Sequence, residues 1–212
     1  MRQGERQRAG GRGSEGEGER QRAGGRGSEL GPGFDGVLAA ARANAGWAFK
    51  VLFDSFAPAV VGYVRSQGGS DPDGMTNEVF FAAFRALQRF EGDEARFRSW
   101  LFTITHNRMI DDRRKQARQV PRTSKSPSEV VMPPGGNVED EALALLADRE
   151  IRLLLDHLTP DQRNVLLLRI IGDLTIAQVA QVLDKPVGAV KALQRRALGA
   201  LARVLESEGV PL

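Results

Sequence analysis

The chain has 212 residues, a formal net charge of +3, 41 % hydrophobic and 27 % charged residues, and no cysteine. That balance belongs to a globular protein with room for one large or two small domains, and it argues against a disordered chain. The lack of cysteine excludes disulfides, thiolate metal sites and thiol redox sensing. No apolar run approaches the ~20 residues that span a bilayer, and the Arg/Gly/Glu-rich N-terminus has no apolar signal region. A cytoplasmic protein without membrane insertion is expected. A charge of +3 is too small to argue for nucleic acid by itself, so the distribution of charge must decide.

Residues 1–33 carry the segment GERQRAGGRGSE twice, at Gly4–Glu15 and Gly18–Glu29. Neither copy has an apolar face to stack, and the composition cannot offset the entropy of ordering, so a disordered tail is expected. From Phe34 the pattern turns helical. Val37 and Leu38 open a short helix, and Trp47, Val51, Leu52, Phe56 and Val60 continue at three-to-four spacing to about Ser66. The sequence Gln67-Gly-Gly-Ser70 breaks that run. Asp71-Pro72 reads as an N-cap followed by proline in the first turn, ahead of Met75, Val79, Phe80, Ala83, Phe84 and Leu87. A third long helix follows Glu91-Gly92-Asp93 and runs to about Arg118.

Residues 119–138 form a linker. Val120–Asn137 holds four prolines, two glycines and three serines, and fully extended it reaches roughly 60 Å. A second helical block occupies 139–212. Thr159-Pro160-Asp161-Gln162 and Thr175-Ile-Ala-Gln178 both have the form of a capping box. No period-two stretch suggests a strand. The expected fold is all-α, with domains at 34–118 and 139–212.

Within the second block, Thr175–Leu183, a break at Asp184-Lys-Pro186 and Val187–Leu205 fit a helix-turn-helix. Ala180 supplies the small residue at the crossing. Val190, Leu193, Ala197 and Leu201 point inward, leaving Lys191, Gln194, Arg195 and Arg196 for DNA. Arginine pairs with guanine in the major groove, glutamine with adenine, and lysine with phosphate. An ordinary amphipathic hairpin with a solvated basic face is the plainer alternative.

The third helix changes character along its length. Phe97, Trp100, Leu101 and Ile104 share one third of the circumference, a core stripe that ends at Ile104. Phe102, His106, Met109 and Arg113 form one further row, and Thr103, Asn107, Arg114 and Arg118 another. Such a surface suits a groove that tracks single-stranded nucleic acid; a salt-bridged helix end, with Asp111 and Asp112 balancing the arginines, is the alternative. His106, Asp111 and Asp112 are spread around the cylinder and make no metal site. Asp71-Pro-Asp73-Gly74 lacks the later ligands of a calcium loop. With no phosphate-binding glycine loop and no nucleophile–base pair, neither an enzyme nor a cofactor is expected.

The segments DPDGMTNEVFFAAFRAL and FEGDEARFRSWLFTITHNRMIDDRRK, followed by LTPDQRNVLLLRIIGDLTIAQVAQVL and PVGAVKALQRRALGAL, resemble the extracytoplasmic-function (ECF) sigma factors of bacterial RNA polymerase. The resemblance implies that the helix from Asp71 docks on the core polymerase through Asp71, Asp73, Asn77, Glu78 and Phe80. It implies that Arg89, Phe90, Phe97, Asn107, Arg108, Arg113 and Arg114 hold the melted minus-ten element of promoter DNA, and that Lys191, Gln194, Arg195 and Arg196 read the minus-thirty-five element as duplex. Extrusion of a base costs a few kcal/mol, which stacking and phosphate contacts offset. A linker reach of roughly 60 Å spans ~18 base pairs. Family members are commonly held by an anti-sigma factor. Four positions depart from the family pattern: Gly74 in place of an acid, Asn77 in place of Gln, Ala177-Gln178 in place of paired acids, and Ala189 where Thr is frequent. A free-standing helix-turn-helix regulator, acting without polymerase, is the alternative function.

Overall fold

The computed structural model describes residues 30–118 and 150–207. The repeated tail, the linker and the first residues of the second block lie outside them. The chain opens with a 3₁₀ turn at Gly31–Gly33, then α1 (Phe34–Arg42), α2 (Gly46–Ser66), α3 (Pro72–Ala86), a second 3₁₀ turn at Leu87–Arg89 and α4 (Glu94–Arg118). After the linker come helical residues 150–156 (α5), α6 (Pro160–Ile170), α7 (Ile176–Val182) and α8 (Val187–Ser207). Among the described residues there is no strand, in agreement with the all-α expectation.

Local chemistry sets the helix ends. Gly68 takes φ +79°, and Gly68 and Gly69 return their N–H groups to the Arg65 and Val64 carbonyls, so α2 ends in a Schellman motif. Asp71 caps α3, its carboxylate accepting from Gly74 N–H at 2.9 Å. A Cβ on Gly74 would stand 2.1 Å from Asp71 Oδ2, so this cap needs glycine or a displaced aspartate. Thr159 and Thr175 both close capping boxes with the glutamine three residues on. At the turn between α7 and α8, Asp184 takes φ +50° and Lys185 N–H bonds the Ala180 carbonyl at 2.9 Å, the same Schellman geometry built without glycine.

The core of the first domain is aromatic. Phe97 of α4 is fully buried, its ring centroid 5.1 to 5.6 Å from those of Phe34, Phe56 and Phe90, the separation at which tilted and edge-to-face pairs gain most. Leu52, Val60 and Tyr63 of α2, Val79 and Phe80 of α3, and Leu101 and Phe102 of α4 complete it. Each such side chain contributes about 1.5–3 kcal/mol by leaving water. Trp47 departs from its expected place: it is 59 % exposed, although Ala48 beside it is fully buried. By length and composition α2 could cross a membrane, which the search for apolar runs alone did not register. Its buried residues, Leu52, Phe56, Val60, Tyr63 and Val64, are used by the core.

The second domain packs α6, α7 and α8 around Val165, Leu168, Leu174, Val179, Val190 and Ala197. It lies directly against the first, with α7 on α4 and α6 on α2. The stripe on α4 therefore does not end at Ile104. Phe102, His106 and Met109 are buried as a second row. Around that row runs a polar chain: Tyr63 Oη and His106 Nδ1 share a hydrogen bond at 3.0 Å, and Arg113 donates to both oxygens of Gln67 at 2.6 and 3.0 Å. The Gln67 amide in turn donates to Asn164 of α6. Gln67 and Asn164 are both buried, so each satisfies a group that would otherwise be costly.

Burial, with the Arg113 guanidinium adding to it, lowers His106 from an ordinary 6.5 to about 4; Asp161 opposes this and Lys185 reinforces it. Burial likewise pushes the Tyr63 hydroxyl above its usual range. A histidine held neutral in the fold binds its proton more readily once unfolded. Its contribution is therefore complete above pH 6.5 and is lost as pH falls towards about 4, an effect of up to about 3 kcal/mol. Denaturant unfolding across that window should show this loss, and His106→Gln should flatten it. An unchanged slope in the variant would remove His106 from the account.

Candidate nucleic-acid interface

The α7–turn–α8 unit has the geometry expected of a helix-turn-helix. Val179, Ala180, Val190 and Ala197 are buried at the crossing, and Leu193 and Leu201 are half-buried beside them. This anchoring turns the opposite side of α8 outward. Lys191, Arg195 and Arg196 are exposed there and Gln194 half-buried, with no salt bridge to any of them among the described residues. Three unneutralised cations on a rigid helix, with an amide between them, suit a DNA duplex.

On the first domain, the loop before α4 and the first two turns of α4 enclose a cleft of about 490 Å³. Its floor is aromatic: Phe90 and Trp100 lie 5.1 Å apart and 32° from parallel. Arg89, Glu91 and Arg96 form the rim, Ser99 and Thr103 supply hydroxyls from α4, and Gln178 and Gln181 of α7 close the far side. Asn107 is exposed one turn beyond Thr103. An aromatic floor with an arginine rim can stack and neutralise a single nucleic-acid strand.

The expected strand-binding residues divide. Arg89, Asn107 and Arg114 are exposed, the last 3.7 Å from Asp111. Arg108 is half-buried and forms an ion pair with Glu78 at 2.6 Å. Phe90 contributes to the cleft while packing on Phe97. Phe97 itself is inaccessible, and Arg113 is turned inward to Gln67. Both support the surface from beneath. Periodicity does not give Trp100 and Ser99 as cleft residues, because Trp100 belongs to the core stripe and still shows an edge; Thr103 lies on the expected polar row.

The expected docking surface on α3 divides in the same way. Asp71, Asp73, Asn77 and Glu78 are exposed. Phe80 is buried against Phe53 and Phe84, and its neighbour Phe81, 64 % exposed under the Arg85 guanidinium, is the accessible ring. The three-to-four spacing of Val79, Phe80, Ala83, Phe84 and Leu87 already puts Phe80 on the core side, whereas the resemblance places it on the docking face.

Residues 52–119 match sigma-70 region 2 and residues 148–201 match sigma-70 region 4. The first match covers most of α2 through α4, and the second covers α5 through most of α8. The chain is 30 % identical over 173 residues to the ECF RNA polymerase sigma factor BldN of Streptomyces coelicolor, covering 79 % of this chain and 64 % of BldN. It is also 30 % identical over 134 residues to the ECF RNA polymerase sigma factor ShbA of Streptomyces griseus subsp. griseus, covering 62 % of this chain and 70 % of ShbA. Among solved structures, CnrH in complex with the cytosolic domain of CnrY is similar, with a TM-score of 0.61 and 26 % identity over 82 % of this chain and 97 % of CnrH. With both sigma regions present in order and flanking the cleft and the basic helix just described, the chain belongs to the ECF sigma factor family.

Proposed function

We propose that this protein binds core RNA polymerase and directs it to promoters, reading the upstream element as duplex through α8 and holding the melted downstream strand on α4. The observation that carries the reading is the pairing of two unlike surfaces in one chain. One is a basic helix face of the kind that enters a major groove; the other is an aromatic cleft of the kind that holds an unpaired strand. A regulator that binds only duplex needs the first and has no use for the second. Family membership supports the polymerase as the partner, and the cytoplasm as the place of action follows from it.

In this reading Lys191, Gln194, Arg195 and Arg196 contact the upstream duplex. Arg89, Arg96, Asn107, Arg108 and Arg114 surround the strand, with Phe90 and Trp100 available for stacking. Asp71, Asp73, Asn77, Glu78 and Phe81 form the docking face for core polymerase, with Phe80 holding that helix in place. The solved likeness, CnrH, is bound to the cytosolic domain of CnrY, which supports an anti-sigma factor as a further partner for this chain.

A mobility-shift titration of promoter fragments with the chain alone, core polymerase alone and both together tests the proposal. Sequence-specific binding only with both is expected; tight duplex binding by the chain alone would favour the free-standing regulator. Arg195→Ala should weaken upstream-element binding by ~5- to 150-fold, the worth of one good base contact, with core affinity unchanged. Loss of both would remove α8 from DNA recognition. Asn107→Ala should slow strand opening about five-fold, as for one lost hydrogen bond, while initial duplex capture stays normal. Equal defects in capture and opening would contradict a strand-holding role.

A further inference from the structure

Resting on the strand-binding reading of α4, we infer that Gly92 is a positioning residue of the cleft: its missing side chain seats the stem of Arg96 and so aims that guanidinium at a phosphate of the unpaired strand. Gly92 lies in the loop before α4 with φ +145°, a backbone conformation that suits glycine. A Cβ there would stand 2.6 Å from Arg96 Cδ, 2.8 Å from its Cβ and 3.3 Å from its Cγ. The aliphatic stem of Arg96 therefore runs across the glycine, and any larger residue closes that path.

The stem has little room to give way. Asp93 holds the start of α4 from both ends, its carboxylate accepting from Arg96 N–H at 2.8 Å and its carbonyl from Phe97 N–H at 2.9 Å. Phe97 is fully buried. The backbone of Arg96, and with it Cβ, is fixed. A different rotamer would relieve the contact at Cδ but not the one at Cβ, so alanine at position 92 must displace the loop as well as the arginine.

What the stem carries is a cation with no internal use. Arg96 is exposed, and among the described residues its guanidinium has no ion pair or hydrogen bond. Arg98, two residues on, is the contrast: it pairs with Glu94 and covers the Phe56 ring. Arg96 also occupies the first turn of α4, where the helix dipole disfavours positive charge. A cation held there without a partner fits an anion supplied from outside. Its guanidinium borders the cleft whose floor is Phe90 and Trp100, and a strand stacked on those rings carries its phosphates along the rim. Ordering a long side chain opposes binding; the glycine seat orders this one before the strand arrives.

NMR of the arginine Nε–Hε groups in the full chain is the first test, with the Arg96 signal identified by its loss in Arg96→Ala. The parent should show an ordered Arg96, and Gly92→Ala should free it. A mobile Arg96 in the parent would overturn the inference. The chain assembled with core RNA polymerase is then titrated with a labelled single-stranded oligonucleotide of mixed sequence over a range of salt, with core polymerase alone as reference. Arg96→Ala should weaken binding about ten-fold, near the lower end for one charge-assisted hydrogen bond. It should also flatten the slope of log K against log salt by about 0.7, the share of one phosphate contact on a single strand. Gly92→Ala removes no charge, yet it should lower affinity and slope by the same amounts, and the double variant should lose nothing more. An unchanged slope in either single variant would overturn the inference. So would a further fall in the double variant, which would show that the loop acts through Arg89 or Phe90 instead. If Arg96 is ordered in the parent and freed by Gly92→Ala, yet the chain adds no strand affinity to core polymerase, the seat of Arg96 stands and the strand-binding reading falls.

Discussion

Everything described here depends on α4 being held rigidly by its apolar side. Phe97 anchors it at the meeting point of α1, α2 and the loop before α4, through ring contacts with Phe34, Phe56 and Phe90. Leu101 and Phe102 extend the grip, and Arg98 lies over Phe56 rather than reaching solvent. A helix so fixed cannot roll, and its remaining faces acquire definite roles. One presents Thr103 and Asn107; another, carrying His106, Met109 and Arg113, is turned inward, His106 to Tyr63 and Arg113 to Gln67. A nucleic-acid groove needs such a support, because stacking and phosphate contacts favour binding only if their partners are already in place.

The same rigidity explains why the two domains meet where they do. His106 and Arg113 bond to Tyr63 and Gln67 at the end of α2, Gln67 reaches Asn164 of α6, and α7 packs on α4. The buried Gln67–Asn164 pair makes that contact specific, since neither amide would be satisfied by a shifted packing. Relative motion of two domains in one chain is the normal expectation unless their interface is large and hydrophobic. The phenylalanines and leucines hold each domain's core, and the Gln67–Asn164 pair joins the two domains by a polar contact.

Much of this was legible in the sequence where the cause is local. Asp71-Pro72, Thr159…Gln162 and Thr175…Gln178 announce helix starts because capping is decided within four residues. The helix-turn-helix was legible because its apolar positions and its break have fixed spacing. Which residues face outward was less so. Phe80 shares the three-to-four spacing of Val79, Ala83 and Leu87 and packs on Phe53 and Phe84, yet the resemblance places it on the docking face. Trp47 fits the apolar period of α2 but is exposed, while its neighbour Ala48 takes the buried position. The second buried row on α4 is not legible as such, because the partners of His106 and Arg113, Tyr63 and Gln67, stand 43 and 46 positions earlier in the chain, a separation on which periodicity is silent. Arg113, placed on DNA by resemblance, is claimed instead by Gln67 for the same reason.

The central claim is that this chain confers promoter specificity on a polymerase. Reconstituting transcription in vitro from purified chain, core RNA polymerase and a pool of genomic promoter fragments tests it most directly. Transcripts with fixed start sites that require both proteins are the predicted result, and their upstream sequences would show what α8 reads. No transcripts from any fragment, with a dimer of the chain bound tightly to symmetric duplex sites on its own, would contradict it.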